Sequence, residues 1–212
     1  MQPEVPLAQP TLFHPLCSLA PLNRGHAVGL AAVAEALGHN AYLHIPAPAQ
    51  IGAYIDRAVL GHAQANQLAY AVVSAQGGVL GTTRFQFIQN QNHRAEIGST
   101  WLAPHAQGTA VNSVCRLLML AHGFERMGLQ RISFMVHPSN HRNRAALASM
   151  GIQFEGVLRA YQSLHGAQAD MCVYSVIASD WASIRTRIEA RIASKQQQNT
   201  AKSNNLDPLL CA

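Results

Sequence analysis

A chain of 212 residues that is 49 % apolar and 12 % charged can close a full hydrophobic core in one domain and lies outside the range of disordered sequences. Its 15 lysines and arginines against 10 acids leave a formal charge of +5, yet the basic residues are scattered. That balance suits a polyanionic small molecule at least as well as nucleic acid, which is not expected as a partner.

No apolar run approaches the ~20 residues that cross a bilayer, so no membrane association is expected. The opening Met1-Gln-Pro-Glu-Val-Pro6 has neither the basic nor the apolar region of a secretory signal, which makes the cytoplasm the expected location. Cys17, Cys115, Cys172 and Cys211 are far apart and form no C-x-x-C pair, so neither a disulfide framework nor a zinc site is indicated.

In chain order, residues 1–10 are Pro-containing and read as a flexible N-terminus. A short strand is predicted around Leu12–Leu16, then a helix from Gly25 to Leu37 that Gly38 ends. Beyond a connection interrupted by Pro46 and Pro48, a second helix is predicted near Ala49–Gly61. Extended segments follow at Leu68–Ser74, at Val79–Ile88 after the Gly77-Gly78 turn, and at Arg94–Ala103 after the Asn90-Gln-Asn92 turn. Their β-branched and aromatic residues, separated by turn residues, mark an antiparallel meander.

The clearest helix is Thr109–Met127, where Val111, Val114, Leu118 and Ala121 recur at three- and four-residue spacing before Gly128. Ile132–Val136 reads as a strand, Arg142–Met150 as a short helix, and Ile152–Leu158 and Met171–Ile177 as strands. A last helix runs from Asp180 to about Ala193 with Ser179 as its cap. The stretch from Lys195 to Ala212 has no apolar periodicity and reads as a flexible tail. The order implies one α+β domain over residues 11–194, three layers on a single mixed sheet.

The informative stretch runs from Glu96 to Asn112: a strand, a short polar loop, then a long helix. Gln107-Gly108-Thr109-Ala110 puts small residues where helix amides are still unpaired, and such amides together with the helix dipole bind phosphate. Gly108 would let an anion approach the backbone; the plainer reading is a glycine that only serves a strand-to-helix turn. Neither G-x-x-x-x-G-K-[ST] nor G-x-G-x-x-G after a strand occurs, which sets aside the two best-known nucleotide loops.

The same stretch resembles the RimJ/RimL-type enzymes of the GNAT N-acetyltransferase superfamily. The likeness lies in the Glu96-Ile-Gly98 strand, the Trp101-Leu-Ala-Pro104 turn and the Gln107–Ala110 loop. It extends back to Leu80-Gly-Thr-Thr-Arg84. Forward it runs through Leu118–Glu125, Gly128–Arg131, Asn140–Leu147 and Gly151–Arg159 to Tyr174-Ser-Val176, covering roughly residues 11–193.

The resemblance implies a mostly antiparallel sheet with helices on both faces and a V-shaped splay between two central strands. It implies acetyl-CoA as co-substrate: the pantetheine arm against Trp101, Leu102 and Ala103, and the pyrophosphate on the amides of Gln107, Gly108, Thr109, Ala110 and Val111. Asn140 would touch the pantetheine arm. Arg144 is assigned either to the adenosine phosphates or to a surface salt bridge.

An acceptor ammonium must lose a proton before it attacks a thioester. Glu96, at the start of the strand, is the candidate general base, with a structural strand-end role as the alternative, and amides near Leu102 would stabilise the oxyanion. Two positions depart from the family pattern. Leu147 and Asn143 stand where relatives often have a tyrosine and a serine, so no general acid is assigned. Tyr161 is a candidate substitute that also reads as a packing residue.

The resemblance implies an acceptor groove lined by the early helices and the late hairpin, here near Tyr42, Tyr54 and Tyr161, and a small amine or a peptide N-terminus as the acceptor. A non-catalytic acyl-CoA-binding module is the alternative function, and a homodimer is compatible with either. His137 and His141 are four apart, but Pro138 breaks any shared helical face, so no metal is expected.

Overall fold

The computed structural model describes residues 8–38 and 44–204, with side chains through residue 198. Eight strands form one sheet, β1 (Leu12–His14), β2 (Cys17–Pro21), β3 (Leu68–Ser74), β4 (Val79–Gln89), β5 (Arg94–Leu102), β6 (Arg131–Val136), β7 (Gln153–Leu164) and β8 (Ala167–Ile177). Five helices accompany it: α1 (Ala27–Leu37), α2 (Ile51–Ala63), α3 (Val111–Ala121), α4 (His141–Ser149) and α5 (Trp181–Asn204). The strand order is β1-β2-β3-β4-β5-β6-β8-β7, antiparallel throughout except for the β5–β6 pair.

Alternation along the strands divides the apolar residues between two cores. Leu68, Tyr70 and Val72 of β3 face one side with α3, α4 and α5, where Val114, Met119, Leu120, Leu147, Ile184 and Ile188 are buried. Ala69 and Ala71 face the other side, against Leu30 and Val33 of α1 and Ile51, Tyr54 and Ile55 of α2. Each buried aliphatic side chain contributes about 1.5–3 kcal/mol, so helices on both faces are the natural outcome of this pattern.

Several elements differ from the sequence reading. Strand β2 was not expected; Cys17 and Leu19 are buried while the small Ser18 and Ala20 alternate with them, and pairing with β3 decides what propensity does not. Helix α3 begins at Val111 rather than Thr109, because the Thr109 hydroxyl accepts the Val111 amide. Its end is a widened turn, His122–Arg126, in place of a regular helix to Met127.

The last hairpin runs to Leu164 and Ala167, joined by His165 and Gly166 with φ of 51° and 84°, a two-residue turn of left-handed residues. Most of β7 is exposed, so no burial alternation marked it. Ser179 lies inside a short 3-10 turn, Ala178–Asp180, ahead of α5, and α5 continues to Asn204, past the expected end near Ala193. Residues 195–204, read from composition as tail, therefore continue that helix; its lysines and glutamines are good helix formers.

Candidate active site

The parallel pairing of β5 with β6 lasts for three residue pairs, Arg94↔Arg131, Ala95↔Ile132 and Glu96↔Ser133. Beyond Glu96 the two strands separate. A cleft of about 380 Å³ runs through the gap, walled by Ile97–Leu102 on one side and Phe134–His137 on the other.

Strand β5 carries a bulge in this wall. Thr82 faces Trp101 and Arg84 faces Gly98, so β5 spends one extra residue opposite Thr83, and Ser99 takes a φ of 49°. The bulge reverses the side-chain parity: Ala95 and Ile97 point to the α3 core, whereas Trp101 points to the α2 core beside Tyr54. The Ala103 amide donates to Leu80 O at 2.7 Å. By the alternation of an antiparallel ladder, the N–H and C=O of Leu102 then face away from β4, into the gap. The Gln107 side chain donates to Leu102 O at 2.9 Å.

At the point of divergence sits Glu96, 7 % exposed and accepting from Gln86 Nε2 at 2.6 Å. Gln86 Oε1 in turn accepts from the Ser99 hydroxyl at 3.1 Å. Burial pushes the Glu96 carboxyl up to about 7, and the Gln86 hydrogen bond only partly offsets it. Its Oε1 lies 3.0 Å from where a Cβ on Gly98 would be, so an empty residue of the cleft wall separates the carboxyl from the gap.

At the other end, the loop expected to present five amides divides. The Gln107 amide is bonded to Ala103 O and Pro104 O, and the Val111 amide to the Thr109 hydroxyl. The amides of Gly108, Thr109 and Ala110 have no acceptor among the described residues. Gly108 has a φ of 79°, and a Cβ there would sit 3.3 Å from Arg142 Nη2.

Arg116, Arg142, Arg191 and Lys195 line the cleft at this end, with no aspartate or glutamate in the described lining. Arg116 is buried and donates to Asn143 Oδ1. Burial, and then the neighbouring Arg191, lower its pKa to about 10, which leaves it cationic at neutral pH. Among the described residues Glu96 and Arg116 are the buried charged side chains, one toward each end of the same gap.

Residues 18–153 match the acetyltransferase (GNAT) domain family. The chain belongs to the GNAT acetyltransferases. It is 33 % identical over 99 residues to the uncharacterized N-acetyltransferase YoaA of Bacillus subtilis (strain 168), covering 47 % of this chain and 55 % of YoaA. It is also 33 % identical over 120 residues to the uncharacterized N-acetyltransferase p20 of Bacillus licheniformis, 56 % of this chain and 66 % of p20. The match thus spans between half and two thirds of those relatives. Mycobacterium smegmatis RimJ, solved in complex with CoA-disulfide, shares the fold at TM-score 0.76 and 22 % identity, over 92 % of this chain and 98 % of that one.

Within this GNAT scaffold, Trp101, Leu102, Gln107, Gly108, Thr109 and Asn140 line the cleft; Ala103 and Ala110 are buried outside that lining, as is the carboxyl-bearing Glu96. Asn140 also caps α4, accepting from the Asn143 amide at 3.2 Å. Arg144 does not line the cleft; it donates to Tyr174 Oη at 3.2 Å and to Pro138 O at 2.9 Å. Its neighbour Arg142 takes the place by the loop and donates to Gln107 Oε1 at 3.1 Å.

Tyr54 is buried behind Trp101, with the Arg84 guanidinium 4.7 Å above its ring. Tyr161 is 51 % exposed on β7 and outside the lining, and Tyr42 lies outside the described residues. Leu147 is fully buried in the α3-side core. Among the described residues no group of three or more His, Cys, Asp and Glu is arranged to hold a metal.

The sequence reading missed Gln86, Arg116, Arg142, Arg191 and Lys195. Arg116 was legible: it lies three residues after Ser113 and four before Leu120, on a buried face of α3. The others are brought in by strand register and helix crossing, which no local pattern records.

Proposed function

We propose that this chain transfers acetyl from acetyl-CoA to a primary amine, with Glu96 as general base. The observation that carries the reading is the β5–β6 gap. It has a backbone edge at Leu102, amides at residues 108–110 with no acceptor among the described residues, a cationic lining, and a carboxyl held near neutrality where the strands part. A polyanionic thioester fits this donor set, and CoA bound to the RimJ neighbour supports the same ligand here.

On this reading the pantetheine arm lies along Leu102 and Asn140, and its phosphates meet the amides of Gly108, Thr109 and Ala110. Glu96, directly or through one water, takes a proton from the acceptor ammonium, and a carboxylate with a pKa of about 7 is matched to that task at neutral pH. The amine nitrogen then forms the bond to the acyl carbon while the carbon–sulfur bond breaks. The Leu102 amide, which faces the gap, is the donor available to the oxyanion. As the adduct collapses its nitrogen gives its second proton to solvent, and the thiolate takes one from solvent, since a thiol of pKa ~8.5 leaves without a dedicated acid.

The acceptor side is the part of the cleft lined by Leu37, Ile45 and Trp101, and the acceptor is a small amine or a peptide N-terminus. The competing reading, a non-catalytic acyl-CoA-binding module, draws on the core position of Leu147 and on Asn143 being held by Arg116. Thiol release from acetyl-CoA across a panel of amines and N-terminal peptides separates the two. Amine-dependent release supports transfer, and tight acetyl-CoA binding with no release for any acceptor supports the module.

A further inference from the structure

Strands β4 and β5 keep regular register over Arg84↔Gly98, Phe85↔Ile97 and Gln86↔Glu96, with an irregularity on each side. One is the bulge at Ser99; the other follows Gln86, where Phe87 takes a φ of 52°. Facing residues of an antiparallel pair share one side of the sheet, so Gln86 and Glu96 stand side by side. The bulge brings the Ser99 hydroxyl within reach of the same glutamine.

The hydrogen bonds here have one polarity. An ionised carboxylate only accepts, so Gln86 Nε2 turns to Glu96 Oε1, at 2.6 Å. Gln86 Oε1 is then left to accept from Ser99 Oγ at 3.1 Å, and two partners fix an amide that one would let turn over. A Cβ on Gly98 would stand 2.6 Å from Gln86 Nε2 and 3.0 Å from Glu96 Oε1, so only glycine leaves room for this bond beside the cleft.

The other polar groups nearby are engaged elsewhere. Arg84 donates to Gln67 and lies over the Tyr54 ring of α2, Arg94 donates to Gln89, and Arg131 donates to Glu155. Ser133, opposite Glu96 across the seam, turns its hydroxyl to Ala95 O. Burial and the Gln86 hydrogen bond are what act on the Glu96 carboxyl, in opposite directions.

We propose that Gln86 is the positioning residue of the Glu96 base: it holds Oε1, which leaves Oε2 as the oxygen that takes the acceptor's proton. Its N–H favours the ionised carboxylate and so keeps the base available at neutral pH. The inference rests on the reading of Glu96 as general base. Gln86 is outside the cleft lining and acts through Glu96.

NMR titration of the glutamate carboxyl carbons in the full chain tests this apart from any acceptor, with Glu96 assigned by the signal that Glu96→Gln lacks. Gln86→Met keeps the length of the side chain and loses the donor. Gly98→Ala keeps the glutamine, but its methyl displaces the amide. In both, the Glu96 pKa should rise above its value of about 7 by roughly one unit, the worth of one hydrogen bond to an ionised group. With an acceptor that supports thiol release, kcat/KM of Gln86→Met should fall about fivefold at pH 7 and rejoin wild type by about pH 9. The KM for acetyl-CoA should not change.

Circular dichroism checks the fold; if Gln86→Met does not fold, Gly98→Ala decides in the same way. An unmoved Glu96 pKa in the folded variant overturns the proposal and leaves the base assignment standing. So does a kcat/KM loss of one size at every pH, which is the mark of a merely structural role. Failure of the wild type to release thiol with any amine counts against the base reading, and the titration still decides whether Gln86 holds the carboxyl.

Discussion

Two residues carry most of the chemistry argued for the gap, and each makes a separate claim. Glu96 is held protonated by burial up to about pH 7, whereas in the unfolded chain it ionises near 4.5. An acid whose folded pKa is raised contributes stability that is complete below the unfolded value and is lost as pH rises through the folded one. Glu96→Gln cannot ionise and keeps the Gln86 hydrogen bond. Its melting temperature should therefore match wild type near pH 4 and exceed it at pH 8, by an amount equivalent to at most about 3 kcal/mol.

The same substitution should cut the acetyl-transfer rate by ~10²–10⁴-fold at pH 7 and erase the rise in kcat/KM through about pH 7. Thermal melts and a pH–rate profile on one pair of proteins read both effects. A variant with wild-type activity would leave Glu96 only its strand position.

Gly108 is required by its φ of 79°, a conformation that residues with a Cβ rarely adopt. Gly108→Asp should weaken acetyl-CoA binding by about a hundredfold or more, as its carboxylate occupies the phosphate position and pairs with Arg142. Titration of the folded variant checks this, and unchanged affinity would reduce the loop to a structural turn.

At the scale of elements, the bulge at Ser99 decides which core Trp101 joins. Replacing Ser99, whose φ is 49°, by the β-branched valine would press the strand toward simple alternation with every residue kept and send Trp101 toward the α3 face, leaving a cavity beside Tyr54 and overpacking the opposite side. A loss of ~3–5 kcal/mol is expected, the range for removing a large aromatic from a core. Denaturant unfolding measures it, and a loss below ~1 kcal/mol would mean that the bulge can migrate along β5.

The bulge also marks the limit of what the sequence disclosed. The β3–β4–β5 meander was legible because turn residues separate β-rich runs, and the Gln107–Ala110 loop because small residues precede an apolar helix. Which face Trp101 takes was not, since parity reverses at a residue with no sequence signature of its own. The resemblance puts Tyr161 on the acceptor side through the late hairpin, and that hairpin carries it out to an exposed position beyond the cleft lining. Arg144 and Arg142 are two apart on one short helix, and only the angle at which α4 meets the loop tells which of them reaches Gln107.

For the whole molecule, acetyl-CoA at a hundred times its Kd should raise the melting temperature by roughly 5–10 °C, because a ligand of the native state alone stabilises it by mass action. A scan with and without acetyl-CoA tests this, and no shift at saturation would remove the cofactor from the account. The shift has a location as well as a size. With β5 and β6 joined over three residue pairs, the sheet is mechanically two panels, β1–β5 and β6–β8, on a short common seam that the helices bridge from outside. A pantetheine arm along Leu102 would act as the missing rungs of that ladder, so co-substrate binding would also be an act of sheet completion. Slowed amide hydrogen exchange on ligand addition should then appear on both panels facing the gap, at Trp101–Ala103 and at Phe134–Val136, and not at the outer strands β1 and β7. The enzyme would be least cohesive along the line where it works, and its substrate would be the piece that closes it.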